Sequence, residues 1–93
     1  MQTFVMLGKY SPEAIKEMSP KRTQNTEEII SRMGGKIHEM YALLGAFDLL
    51  FVVDLPGTDD AMRLSVMLSR LTGISFSTYP AVSVGQFDSL VKG

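Results

Sequence analysis

The chain has 93 residues, enough for one domain with a single core but too few to bury all of its apolar surface within one copy. Its formal net charge is −1 and its charged residues are scattered, which excludes the basic face of a nucleic-acid-binding protein. The absence of cysteine excludes disulfides, thiolate metal sites and thiol nucleophiles. No apolar run approaches transmembrane length and the N-terminus lacks the features of a signal peptide, so we expect a cytoplasmic protein.

The N-terminal third of the chain predicts one strand and an interrupted helical region. Residues 3–10 are rich in β-branched and aromatic residues, as strands are. Ser11-Pro12 then provides a serine N-cap and a proline at the first helical position, and Ser19-Pro20 repeats this arrangement. Apolar residues at helical spacing continue to Met33, where Gly34-Gly35 provide a left-handed C-terminal cap. We therefore expect a helical region with a break at the second proline.

The middle of the chain predicts a β-hairpin. Residues 36–44 alternate as a second strand, so that two sets of side chains point to opposite faces. The first set is Ile37, Glu39, Tyr41 and Leu43, and the second is His38, Met40, Ala42 and Leu44. Gly45, which can adopt a positive φ, forms the turn, and residues 47–55 form the third strand. Pro56-Gly57 ends that strand.

The C-terminal part of the chain predicts a helix, a fourth strand and a short terminal helix. We expect Thr58 to cap the first of these helices. The apolar spacing of that helix predicts a buried stripe formed by Ala61, Leu64, Leu68 and Leu71. Thr72-Gly73 ends the helix, residues 74–82 form the fourth strand, and residues 84–91 form the terminal helix.

The predicted order βαββαβ is that of the ferredoxin-like fold, an α+β fold whose four-stranded antiparallel sheet carries helices on one face. The third strand is nevertheless apolar on both faces, with Leu49, Phe51 and Val53 on one and Leu50 and Val52 on the other. A sheet face in contact with water should instead carry polar residues at alternate positions. We therefore expect a second copy to cover this face, as in a dimeric α+β barrel, giving a homodimer or a higher oligomer.

The stretch Leu43-Leu44-Gly45-Ala46-Phe47-Asp48 joins the two middle strands and leads into the run Leu49-Leu50-Phe51-Val52-Val53-Asp54. Together with residues 4–11, 34–36 and 71–76, it resembles the signature of the GYD domain family, named for a glycine, a tyrosine and an aspartate. The resemblance implies a single GYD-like domain over residues 1–93, with a ferredoxin-like fold of the dimeric α+β barrel type and no assigned reaction. Phe47 stands where the family usually has tyrosine, which argues against a role that needs a phenolic hydroxyl at this turn.

Gly45, Phe47 and Asp48 form the motif of the turn. Asp48 is expected to anchor the turn by accepting backbone N–H bonds, with ligand capture as the alternative. The turn also resembles a glycine-x-aromatic-aspartate hairpin in the amino-acid-sensing domains of leucine-responsive regulators, and that resemblance implies an amino-acid-like ligand. Asp54 lies about 20 Å further along the strand, too far away for a glycosidase-type carboxylate pair, and we expect it to cap the strand end.

Six polar-tipped residues are candidates for contact with a ligand: Lys9, Tyr10, His38, Tyr41, Asp48 and Tyr79. Tyrosine suits either the mouth of a cavity or a subunit rim, because its ring packs while its hydroxyl meets a ligand or water. The only histidine and the tyrosine three residues after it are also the candidates for a catalytic role, although the sequence favours a histidine that only meets solvent or a satisfied partner. No spaced histidine or carboxylate cluster accompanies them, so we expect no metal and no cofactor.

Three functions stay open. The sequence favours a non-catalytic, oligomeric module that binds or senses a small apolar or amino-acid-like molecule. The first alternative is a cofactor-free monooxygenase or isomerase of the dimeric α+β barrel type, in which His38, Tyr41 or Asp48 polarises the substrate; a buried histidine facing a cavity would favour it. The second alternative is a structural interaction domain with no pocket. The expected partners are a second copy of the chain and a small ligand, with neither nucleic acid nor a membrane.

Overall fold

The computed structural model describes residues 1–92. In chain order its elements are β1 (Gln2–Tyr10), α1 (Pro12–Lys16), α2 (Pro20–Arg32), β2 (Lys36–Ala42), β3 (Leu49–Leu55), α3 (Thr58–Thr72), β4 (Ile74–Ala81) and α4 (Val84–Lys92). The strands form one antiparallel sheet in the order β2-β3-β1-β4. The predicted α+β, ferredoxin-like architecture is confirmed. None of the helices in this part of the chain is long and apolar enough to cross a membrane.

The core lies between one face of the sheet and the helices α2 and α3. Strands β1 and β3 bury every second residue, in keeping with the period of two along a strand. The buried cluster consists of Phe4, Met6, Ile30, Phe51, Val53, Leu55, Ala61, Leu64 and Leu68. Its helical members all lie on the same side of the sheet, so the residues that alternate with the buried ones point to the opposite face.

Serine caps and glycines set most of the helix ends. The hydroxyl oxygens of Ser11 and Ser19 each accept a hydrogen bond from the backbone N–H three residues further on, at 3.0 and 3.2 Å. Gly34 and Gly73 end α2 and α3 with φ values of 79° and 72°, a conformation that favours glycine. These predicted helix ends are confirmed. The predicted cap at Thr58 is wrong, because Gly57 is the N-cap and makes no side-chain cap bond.

The loop between β2 and β3 is longer than predicted. It runs from residue 43 to residue 48, so β2 ends two residues earlier and β3 begins two residues later than expected. The backbone N–H of Leu43 donates to the carbonyl of Asp48 at 2.8 Å and closes the loop. Gly45 does not adopt the left-handed conformation, because Gly34 and Gly73 are the glycines with positive φ among residues 1–92. Hydrogen bonds, and not a glycine turn, therefore fix this loop.

A β-bulge at His38 overturns the predicted alternation of β2. Ile37 lies opposite Val53, whereas Glu39 lies opposite Val52, so the pairing gains one residue between them. A bulge inserts an extra residue and shifts the side chains beyond it to the other face. Ile37 consequently shares the helix side with Met40 and Ala42, and not with Glu39 and Tyr41 as the simple alternation predicted.

The sheet face that points away from the core is the open face. At its centre lie Val5 opposite Val52 and Leu7 opposite Leu50, and we call these four residues the apolar quartet. The prediction that β3 is apolar on both faces is confirmed by this register. The residues of the quartet are half-buried. Helix α4 has no buried residue and exposes four apolar side chains, namely Val84, Phe87, Leu90 and Val91.

Candidate functional site

A cavity of about 500 Å³ lies between the helices and the sheet, at the end where β1 and β2 finish and β3 and β4 begin. This volume falls within the range of small-molecule sites. Most of its wall is apolar and is formed by Met18, Met40, Ala42, Leu49, Phe51, Leu68, Ile74 and Phe76. The cavity therefore presents a mainly apolar surface.

Several hydroxyl groups of the wall already have hydrogen-bond partners. Thr26 Oγ1 donates to the carbonyl of Arg22 at 3.0 Å, and Thr72 Oγ1 donates to the carbonyl of Leu68 at 2.6 Å. Ser19 Oγ caps α2. Among the described residues of the wall, Arg22 is the only one with a charged side chain. A ligand that needs a charge partner in the wall therefore meets only a cation.

Arg22 is held in place by two neighbours. Its guanidinium carbon lies 5.4 Å from the centroid of the Tyr10 ring, and its Nη1 donates to the backbone carbonyl of Ala14. Both contacts restrict the side chain, and the second uses one of the five guanidinium N–H donors. Arg22 was not among the predicted site residues, because nothing in the local sequence pattern shows that the first turn of α2 faces the ends of the strands. The signal available in the sequence was the Ser19 cap, which fixes where that turn begins.

Asp48 ties the hairpin loop to β1, next to the cavity-lining residue Tyr10. One carboxylate oxygen accepts the backbone N–H of Tyr10 at 2.9 Å, and its own N–H donates to the carbonyl of Gly8 at 2.8 Å. The residue is thus an anchor, but the amide that its side chain holds belongs to β1 and not to the hairpin. Its structural effect is to fix the strand end from which the Tyr10 ring meets Arg22.

The floor of the cavity depends on a glycine of β1. A Cβ atom at Gly8 would lie 2.9 Å from the ring of Phe76 and 3.3 Å from Cβ of Leu49, and both of these residues line the cavity. Contacts this short require neighbouring atoms to shift, so even the smallest side chain at Gly8 would disturb the floor. The close packing explains why glycine occupies this position.

The other predicted site residues are not gathered at the cavity. Lys9 and Tyr79 lie on the open face, opposite Ser75 and Val5. Tyr41 lies opposite Leu50 and also reaches the cavity rim. A hydrogen bond with Glu39, followed by that residue's negative charge, raises the pKa of Tyr41 above its ordinary value. Only the tyrosines at positions 10 and 41 therefore border the cavity.

His38 forms a second polar cluster, at one end of the open face. Its Nε2 lies 2.7 Å from Oδ2 of Asp54, whose other oxygen accepts the hydroxyl of Thr3 at 2.6 Å. The His38 side chain is 40% exposed. The prediction that Asp54 caps the strand end is wrong, because its carboxylate binds these two side chains. No group of three or more potential metal ligands occurs among residues 1–92.

The Asp54 cluster predicts a pH dependence of stability. Hydrogen bonds from Thr3 and then from His38 hold the pKa of Asp54 below its ordinary value. The stabilisation is therefore present above the unfolded-state pKa and is lost as the pH falls through the lower folded-state pKa. We expect Asp54→Asn to lower the free energy of unfolding, and the difference from wild type to be smaller at about pH 3 than at about pH 5. Urea unfolding at the two pH values measures it, and an unchanged difference would contradict the assignment.

Comparison with known proteins assigns nearly the whole chain to one protein family. A family model described as "GYD domain" matches residues 4–91 of the chain. The matched range includes every residue of the cavity wall. It also includes His38 and Asp54 of the polar cluster on the open face, but not Thr3. No curated protein and no solved structure matches the chain.

Proposed function

The chain belongs to the GYD domain family, and from that membership and the cavity we propose that the protein is a non-catalytic module that binds a small, mainly apolar molecule and acts as an oligomer. The observation that carries the proposal is the cavity itself, about 500 Å³ in volume and walled mostly by apolar side chains. A purely structural interaction domain is expected to have a solid core without a cavity of this size. The cavity therefore favours binding over a purely structural role.

The residues of the wall favour binding over catalysis. Among the described residues of the wall there is no histidine, lysine, aspartate or glutamate, so the cavity offers no general base with a reference pKa near neutrality. His38 lies outside this wall, on the open face, where its Nε2 is engaged by Asp54. The ionisable side chains that the wall does supply, Tyr10, Arg22 and Tyr41, belong to residue types that are protonated at neutral pH and are weak proton acceptors.

The apolar quartet supports a homodimer formed through the open face. Val5 and Val52 pair directly across two central strands, as do Leu7 and Leu50, so the quartet is a block of similar residues in the middle of the sheet. An interface with two-fold symmetry uses the same patch on both copies and must be self-complementary. A central block of aliphatic residues meets that condition, because it contacts its own copy with apolar surface on both sides. The exposed apolar residues of α4 add surface that a single copy leaves uncovered.

Native mass spectrometry of gently purified protein tests both parts of the proposal. A dimer, or a multiple of it, that carries a discrete added mass would support an oligomeric binding module and give the mass of its ligand. A monomer would overturn the proposed dimer. An oligomer without added mass would support the oligomer but would not test ligand binding, which the Ala42→Trp variant tests.

Filling the cavity should weaken binding without unfolding the protein. Ala42 lines the cavity at the exposed end of β2, so tryptophan at this position can occupy the cavity without entering the core. We expect Ala42→Trp to reduce binding of an apolar fluorescent probe, anilinonaphthalene sulfonate, by about tenfold or more, as a steric block of the site predicts. The matched control is Ala46→Trp in the exposed hairpin loop, which should bind like wild type. Equal binding by the two variants would place the probe outside the cavity.

A further inference from the structure

We infer that the ligand is an amphipathic monocarboxylate, whose carboxylate binds Arg22 while its apolar chain fills the cavity. This inference rests on the proposed function and names the chemical class of its ligand. The Arg22 guanidinium carries a positive charge that no carboxylate of the described residues balances. Arg22 is partly buried at the cavity wall, and no carboxylate lies within 4.0 Å of it among residues 1–92.

Removing a charge from water without a counter-charge is unfavourable. Of the three other arginines in helices α2 and α3, Arg70 is exposed to water and two show the usual pairing with a carboxylate. Arg32 pairs with Glu28 at 3.8 Å, and Arg63 pairs with Asp60 at 3.3 Å, although both arginine side chains are well exposed. Arg22 is the more buried side chain and has only a neutral carbonyl and an aromatic ring as partners. An anion bound in the cavity would supply the missing counter-charge.

The geometry of Arg22 suits a carboxylate. The guanidinium is a planar fork that can donate two parallel hydrogen bonds to the two oxygens of one carboxylate. Its contact with the Tyr10 ring and its bond to the Ala14 carbonyl hold the fork in place before a ligand arrives, which reduces the entropy lost on binding. Arg22 also stands in the first turn of α2, where the helix dipole adds to the attraction for negative charge.

The same wall disfavours an amino acid. The α-ammonium group of an amino acid lies next to its carboxylate, so it would be held beside Arg22 and would repel that guanidinium. No aspartate or glutamate occurs among the described residues of the wall to offset this repulsion. The free amino-acid ligand that the turn motif suggested is therefore a poorer fit than a carboxylate with an uncharged chain.

Three probes of equal chain length test the assignment by isothermal titration calorimetry at neutral pH: octanoate, octanol and 2-aminooctanoate. A charge-assisted bond to Arg22 should make octanoate bind about tenfold or more tightly than octanol. We expect 2-aminooctanoate to bind more weakly than octanoate. Equal affinities of octanoate and octanol would overturn the assignment of a carboxylate while leaving the binding module intact, whereas no binding of either probe would overturn the proposed function itself. Binding of 2-aminooctanoate as tight as that of octanoate would overturn the exclusion of amino acids.

Variants locate the effect at Arg22. In Arg22→Gln the preference for octanoate over octanol should be lost, so that the two probes bind with similar affinity. Arg32→Gln, in the same helix, is the matched control and should retain the preference of the wild type for octanoate. If Arg22→Gln does not fold, as judged by circular dichroism, Arg22→Lys keeps the charge, loses the fork and should show a reduced preference. A full preference for octanoate in a folded Arg22 variant would contradict the assignment.

Discussion

Replacing Val52 with lysine is expected to turn the proposed dimer into a monomer. Val52 lies in the apolar quartet at the centre of the open face, so a lysine there would be enclosed between the two sheets. Two-fold symmetry places one lysine from each copy in the interface, and its cross-strand neighbour Glu39 lies on the edge strand β2. Pairing with Glu39 offsets only part of the cost of enclosing these charges between two apolar faces, so association should weaken by more than about a hundredfold. Analytical ultracentrifugation over a range of protein concentrations measures the change in dissociation constant.

The chain offers a matched control for this substitution. Val66 is another valine, but it lies on α3 and is 51% exposed. Val66→Lys should leave the dissociation constant close to that of wild type. If Val52→Lys associates as tightly as Val66→Lys, the open face is not the interface. A folded monomeric Val52 variant would also allow octanoate binding to be measured in a single copy, which separates the cavity from oligomerisation.

Truncation of Leu64 should destabilise the fold more than truncation of an exposed leucine on the same helix. Leu64 is fully buried in the core between α3 and the sheet. Leu64→Ala removes three carbon atoms and leaves a void, and we expect a loss of about 3 kcal/mol in the free energy of unfolding. In a domain of this size, that loss lowers Tm by roughly 15 °C. Thermal unfolding at one fixed protein concentration measures it, because association also shifts Tm.

Leu71 provides the comparison on the same helix. The spacing of apolar residues predicts that it shares the buried stripe with Leu64 and Leu68, but it is 64% exposed and the prediction is wrong. Leu71→Ala should therefore change Tm by no more than roughly 3 °C, as is usual for an exposed position. A loss comparable to that of Leu64→Ala would mean that a second copy covers Leu71 in solution.

The fold could be predicted because its signals are local. The Ser11 and Ser19 caps, and the glycines that end α2 and α3, depend only on nearby backbone groups, and the sequence displays them directly. Leu71 shows where local reasoning stops. Helical spacing decides which side of α3 faces the sheet, but whether the last turn is covered depends on how far the neighbouring elements extend.

The candidate site was less predictable, because it depends on contacts between distant parts of the chain. Arg22 and Tyr10 are neighbours only because α2 packs over the end of β1. His38 meets Asp54 because of a bulge that the alternation of polar and apolar residues does not display. The predicted anchor role of Asp48 agrees best with the structure, because a carboxylate in a loop commonly accepts hydrogen bonds from backbone amides. The sequence could not identify Tyr10 as the residue whose amide it accepts.

The bulge at His38 also bears on how copies of this sheet can meet. Strand β2 is one edge of the sheet and β4 is the other, and an exposed edge is a template to which further strands can add. The bulge interrupts the regular row of hydrogen-bonding groups along β2, and Pro80 removes a backbone donor near the end of β4. Both edges therefore resist the strand addition by which sheets grow into fibrils. The proposed association through the open face would instead be closed after two copies, so it favours a finite assembly over an open-ended one.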